Sequence, residues 1–210
     1  MEQNVEARRL HFLMSAIGGY IGVYSILGRN GIFALAQTMN LIQTVVSLEE
    51  GDFLEVAMRV GAVCLFGLAV AFAAVLLRYG EQKRKKVSIA VTVLVVVCEG
   101  IIPLTVSSMA ALYPVFFAMT LQWCAFSGPE VYGSSTIFST NNLRQCVDAY
   151  VRYCRNRDMG LHEKACFFGN TLVSYHVGAA ACCIAMKTAG NVCVWFCLPL
   201  LALAWRRIRE

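Results

Sequence analysis

Two short polar runs interrupt an otherwise apolar chain, and their side chains set the chemistry open to it. The first, residues 36–43, carries Gln37, Thr38 and Asn40; the second, residues 138–145, carries Thr140, Asn141 and Asn142. Hydroxyls and carboxamides donate and accept hydrogen bonds. In hydrocarbon each needs a partner, because an unpaired amide or hydroxyl is costly there. Two uses follow. The six residues line a wet cavity and bind a polar solute, or they bond helix ends and neighbouring carbonyls and fix how helices pack. Glu99, towards the end of one apolar segment, and His176, in the middle of another, are proton-coupling candidates. Ionisable groups at membrane depth are functional hypotheses by default, and imidazole titrates near neutrality. Each has a structural alternative: a neutral imidazole bonded across helices, or a carboxylate reaching interfacial water. The sequence holds no interpretable nucleophile–base pair, phosphate loop or zinc spacing, so the expectation is a non-enzyme with no catalytic residue, metal or cofactor.

One register relates the two runs. Thr38 and Thr140 lie 102 positions apart, and the same shift aligns Asn40 with Asn142, Leu41 with Leu143 and Gln43 with Gln145. It also pairs Ser25 with Ser127, Gly31 with Gly133, Cys64 with Cys166, Phe66 with Phe168 and Gly67 with Gly169. The expectation is one membrane domain over 1–210 built from two copies of a unit, about 8–105 and 108–207.

The elements that must position these residues are set by composition. The chain is 58% hydrophobic and 15% charged, with mean hydropathy +0.61. Soluble domains carry about a quarter charged residues, and a helical span takes about 20 apolar ones. An all-α, polytopic membrane bundle is expected. Six spans are predicted near 11–27, 56–79, 87–102, 110–126, 164–186 and 191–205. Residues 32–48 and 130–158 are then polar inserts, each a short helix or re-entrant segment. Gly18, Gly19 and Gly22 make a small face for close helix packing in the first span. Most of the ten cysteines lie in apolar segments, where a thiol packs as a small hydrophobe. Trp123, Trp195 and Trp205 suit interfacial anchoring.

Six spans with a cytoplasmic N-terminus put Arg8, Arg9, Arg78, the basic run 83–86, Arg144, Arg152, Arg155, Arg157, Lys164, Arg206, Arg207 and Arg209 inside. Only Arg29, Arg59, Lys187 and the acidic connector after residue 48 fall outside. That is the positive-inside bias, and it puts both termini in the cytoplasm. The run 83–86 reads as a topogenic and lipid-headgroup patch. The basic residues cluster at membrane boundaries, so the net charge of +5 does not suggest nucleic acid. Three spans per copy insert the second copy upside down, a plan that recurs in transporters with the substrate between the halves.

Gly18-Gly19-Tyr20, the stretch from Asn30 through Ile32, Phe33 and Gln37 to Asn40, and the stretch from Thr136 to Arg144 resemble the YoaK family of uncharacterised bacterial multi-pass inner-membrane proteins. The resemblance covers nearly the whole chain and implies inner-membrane location and topology, without an activity. Relatives usually read T-G-N in these runs, where this chain has Met39 and Asn141, and have an Asp soon after the Gly pair, where this chain has Gly22.

The reading is a small-solute transporter or permease with its site between the two copies. The alternative is a non-transporting membrane scaffold or assembly partner. Membrane lipid and an unidentified small solute are the expected partners. A homodimer is the assembly suggested by the small size and the Gly-rich first helix.

Overall fold

A computed structural model describes residues 2–127 and 132–208, with side chains described from Val5 onward. Glu130 and Arg209, which figure in the expectations above, lie outside the described residues. Among the described residues nine α-helices follow in order: α1 (Glu2–Gly28), α2 (Gln37–Glu49), α3 (Phe53–Leu77), α4 (Glu81–Ile101), α5 (Ser108–Ala111), α6 (Tyr113–Ala125), α7 (Thr140–Asn156), α8 (Met159–Ala189) and α9 (Leu198–Arg207). A 3-10 stretch, Gly190–Cys197, joins α8 to α9. Among the described residues there is no strand, as a chain spanning lipid by helices requires.

Among the described residues, three stretches are long and apolar enough to cross a membrane: Val5–Gly28, Phe53–Leu77 and Met159–Arg207. α3 is decisive. Its most apolar window has hydropathy 2.7, yet only 22% of it is buried inside the protein. Leu68, Phe72 and Val75 point outward, a surface that lipid accepts and water does not. This points to a membrane protein. The other predicted spans lack such a window for physical reasons. α4 opens on the charged run 81–86, which leaves only about 22 Å of apolar helix over 87–101 against a core of about 30 Å. The apolar segment near 110–126 is divided at Leu112 into α5 and α6. The last two segments form one 49-residue stretch.

That long stretch folds back on itself. α8 runs alongside α1 in the same direction: Arg8 meets Glu163 at 3.5 Å, and a Cβ on Gly28 would touch Met186. At Gly190 the backbone takes φ +57, a turn that glycine adopts without strain. The chain then returns against α1, with Tyr20 Oη donating to the Cys193 carbonyl at 2.7 Å and Arg207 reaching Glu6 at 3.1 Å.

A second set of pairings has the same form. α6 runs parallel to α3, Tyr113 Oη donating to the Met58 carbonyl at 2.7 Å and Phe66 lying 6.3 Å from Trp123. α2 packs on α3 as α7 packs on α8, and α4 lies against α6 as α9 lies against α1. α1 and α6 fill the centre, burying Met14, Ile17, Tyr20 and Tyr24 from one and Val115, Phe116, Met119 and Leu121 from the other.

The expected small face on α1 is used within the chain. A Cβ on Gly19 would collide with the Tyr175 carbonyl and one on Gly178 with the Ala16 carbonyl, so α1 and α8 meet backbone to backbone. The glycine face is therefore covered and offers no surface to a second copy.

Candidate functional site

The polar runs open two helices. After α1 stops at Gly28, residues 29–36 form a connector that turns at Gly31, with φ +78, and leads to α2 at Gln37. In the second run the connector turns at the matched Gly133, with φ +55, and leads to α7 at Thr140. Two glycines aligned by sequence thus share a positive φ, which other residues rarely adopt. α2 ends beside the start of α3, and α7 ends beside the start of α8, where Tyr153 stacks near His162 at 4.9 Å.

Between the beginnings of these two helices is a cavity of about 460 Å³. Gln37, Thr38 and Thr140 supply its polar wall, and Phe33, Phe66 and Trp123 supply most of the apolar remainder. Neither α2 nor α7 has a side-chain cap, so their first-turn amides are left to solvent or to a bound group. The Ser139 hydroxyl, just before α7, is buried without a partner.

The six predicted binding residues divide. Gln37, Thr38 and Thr140 border the cavity. Asn40 is one turn behind and buried; its Nδ2 donates to Gln37 Oε1 at 3.2 Å and its Oδ1 accepts from Arg59 at 3.4 Å. Asn142 is equally buried but faces the connector. Its Nδ2 donates to the Ser135 and Phe138 carbonyls at 2.7 and 3.0 Å, and its Oδ1 accepts from Ser134 Oγ and the Ser135 amide. All the hydrogen-bonding capacity of that carboxamide is spent on the protein. Asn141 is exposed and accepts from Arg144 at 3.2 Å.

The proton-coupling candidates lie elsewhere. Glu99 is 1% exposed and paired with Arg29, itself 1% exposed, at 3.3 Å. Arg29 also donates to the Ile102 and Pro103 carbonyls, while Tyr24 Oη donates to Asn191 Oδ1 at 2.8 Å beside the Glu99 carboxylate. Glu99 Oε1 and Arg29 Nε lack protein partners. His176 sits on the exposed face of α8, its Nδ1 bound to the Leu172 carbonyl one turn back. Neither residue lines the cavity.

Sequence reasoning placed Arg29 outside the membrane boundary, yet it is among the most buried large side chains in the protein. The available signal was Glu99, the sole acid within 87–101, which required a cation somewhere. Missed too was a neutral cluster in which His11 Nε2 lies 3.0 Å from Ser134 Oγ and Gln122 Nε2 donates to the Met14 carbonyl and Thr136. All ten cysteines are free, and no three His, Cys, Asp or Glu side chains gather into a metal set among the described residues.

Residues 10–205 match a family described as a protein of unknown function, DUF1275. The chain belongs to this family. No curated protein and no solved structure matches it. The DUF1275 match takes in both polar runs, the cavity and the Arg29–Glu99 pair, so the whole arrangement falls within the family's extent. The narrower YoaK resemblance stands on its residues alone.

Proposed function

We propose that this DUF1275 member is a small-solute transporter or permease of the cell inner membrane, built as six passes in two oppositely inserted copies. The observation that carries the proposal is the cavity, where two polar runs 102 residues apart in sequence form one wall. Helix directions support the inversion. α1, α4 and α8 run one way; α3, α6 and the returning stretch through α9 run the other. Each copy thus contributes three passes, and the second reverses the first. α2 and α7 begin at the cavity and run to opposite ends of the bundle, as broken segments at a central site do in inverted-repeat transporters. The positive-inside bias supports cytoplasmic termini.

In this reading Gln37, Thr38 and Thr140, with the first-turn amides of both helices, hold the polar part of the solute. The aromatic walls take its apolar part. Asn40 orients Gln37, while Asn142 fixes the connector behind Thr140. Glu99 serves coupling only if the Arg29 pair opens. His176 faces away from the pathway.

The scaffold reading draws on the fully engaged Asn142, and one experiment separates the two. Purified protein is screened by thermal unfolding against amino acids, small carboxylates, sugars and nucleobases. A ligand at about 100 times its Kd stabilises by about 2.7 kcal/mol. A hit is then followed into vesicles. Thr38→Val combined with Thr140→Val, near-isosteric changes, are expected to abolish both uptake and the thermal shift while leaving the unliganded melting temperature close to that of the parent. No shift with any class, and no uptake, leaves the scaffold reading in place.

A further inference from the structure

α4 and α9 run antiparallel, and their outward faces do not close. Between them is an open groove of about 500 Å³, with Ile89, Leu198 and Leu201 along its floor and Ala202 on one wall. Trp205 and Arg206 stand at one end. Leu198 to Arg206 spans about 12 Å of helix, most of the depth of one leaflet. The end with Arg206 is also the end where α4 begins, so the basic run 83–86 lies one turn from Ile89. Arg207 is occupied by Glu6, Lys85 by Glu81 and Lys83 by the Tyr79 ring. Arg206 is exposed, and among the described residues it has no hydrogen-bond or ion-pair partner. Among the described residues no acidic side chain lines the groove.

The geometry points to a binding site for an anionic phospholipid: one acyl chain lies in the α4–α9 groove, the phosphate meets Arg206, and the Trp205 ring sits at headgroup level. Any lipid tail fits an apolar crevice facing the bilayer. Selectivity for a negative headgroup comes from the arginine at its mouth. The site lies on the outside of the bundle, away from the cavity between α2 and α7, and does not depend on transport.

Trp205 reports on the groove directly. The full-length protein is placed in phosphatidylcholine nanodiscs carrying either brominated phosphatidylglycerol or brominated phosphatidylcholine at equal bromine content. The quenching component that disappears in Trp205→Phe belongs to the groove. Quenching by the glycerol lipid is expected to exceed that by the choline lipid about fivefold, the worth of one basic residue near a headgroup. Arg206→Gln should bring the ratio to parity, and Arg206→Lys should retain it; both are checked for folding by elution profile and circular dichroism. Three results overturn the assignment. Equal quenching by the two lipids means ordinary boundary lipid. A preference that survives Arg206→Gln belongs to the basic run acting at a distance. Shielding from both lipids, with the protein eluting as a dimer, means that a second copy covers the groove.

Discussion

The two connectors that lead into α2 and α7 each carry a glycine at positive φ and are held by different physics. The first is tied down by charge: Arg29 is buried against Glu99 and bonded to the carbonyls that end α4. The second is tied down by a neutral carboxamide, with Asn142 gathering Ser134, Ser135 and Phe138 around itself. A buried ion pair is all-or-none, because removing either partner leaves the other charged and dry. A neutral cluster loosens by degrees, one orphaned group at a time. The matched asparagines diverge accordingly. Asn142 is part of the clasp, whereas Asn40 keeps company with Gln37 at the cavity edge.

The largest expected effect is on the charged clasp. Arg29→Met should destabilise the fold by about 3–5 kcal/mol, and Glu99→Leu by a similar amount. The double variant should recover much of the loss. Unfolding in mixed micelles measures all three, and a double variant as unstable as the sum of the singles would remove the pair from the comparison. Next comes Asn142→Ala, which orphans the Ser135 amide and two carbonyls and leaves Ser134 with His11 alone; about 2–3 kcal/mol is expected, with each unsatisfied group costing about 1–3 where water cannot reach it. Asn40→Ala should cost about 1 kcal/mol or less, since Gln37 and Arg59 remain near solvent or their own partners, yet it should impair ligand binding more than Asn142→Ala does. The reverse order in either assay would mean that the two runs had been assigned to the wrong roles.

The smallest effect serves as a control at a site that neither clasp touches. Glu81, at the start of α4, has its carboxyl held below the usual range by its hydrogen bond to Lys85. A depressed carboxyl contributes stability that is present above the unfolded range and fades as pH falls through the folded value. The Glu81 carboxyl is exposed and screened, so about 0.3–0.5 kcal/mol is expected. Glu81→Gln should remove only that acid-sensitive increment in melting curves taken from neutral pH downward.

Much of this architecture was legible because lipid leaves few options. Apolar length predicted α1, α3 and α8, and the gapless register paired Gly31 with Gly133, which both take positive φ, and Thr38 with Thr140, which border one cavity. Boundaries were harder. The run 83–86 lies before the predicted span 87–102 but forms the first turns of α4, because lysine and arginine are good helix formers and Glu81 pairs with Lys85 across one turn. His176 was drawn towards the site by its depth along α8, since depth says nothing of which face a residue occupies. Arg29 escaped notice because the partner that permits its burial is 70 residues away. Spacing along the chain reveals pairs on one helix, not an ion pair that closes across three elements.

The glycine contact between α1 and α8 differs in kind from its counterpart between α3 and α6, where Tyr113 reaches across to Gly61 and Met58. A seam of bare main chain has no rotamers to exchange and no slack to give. Those two helices form a single strut, whereas the pair opposite is joined through one tyrosine side chain.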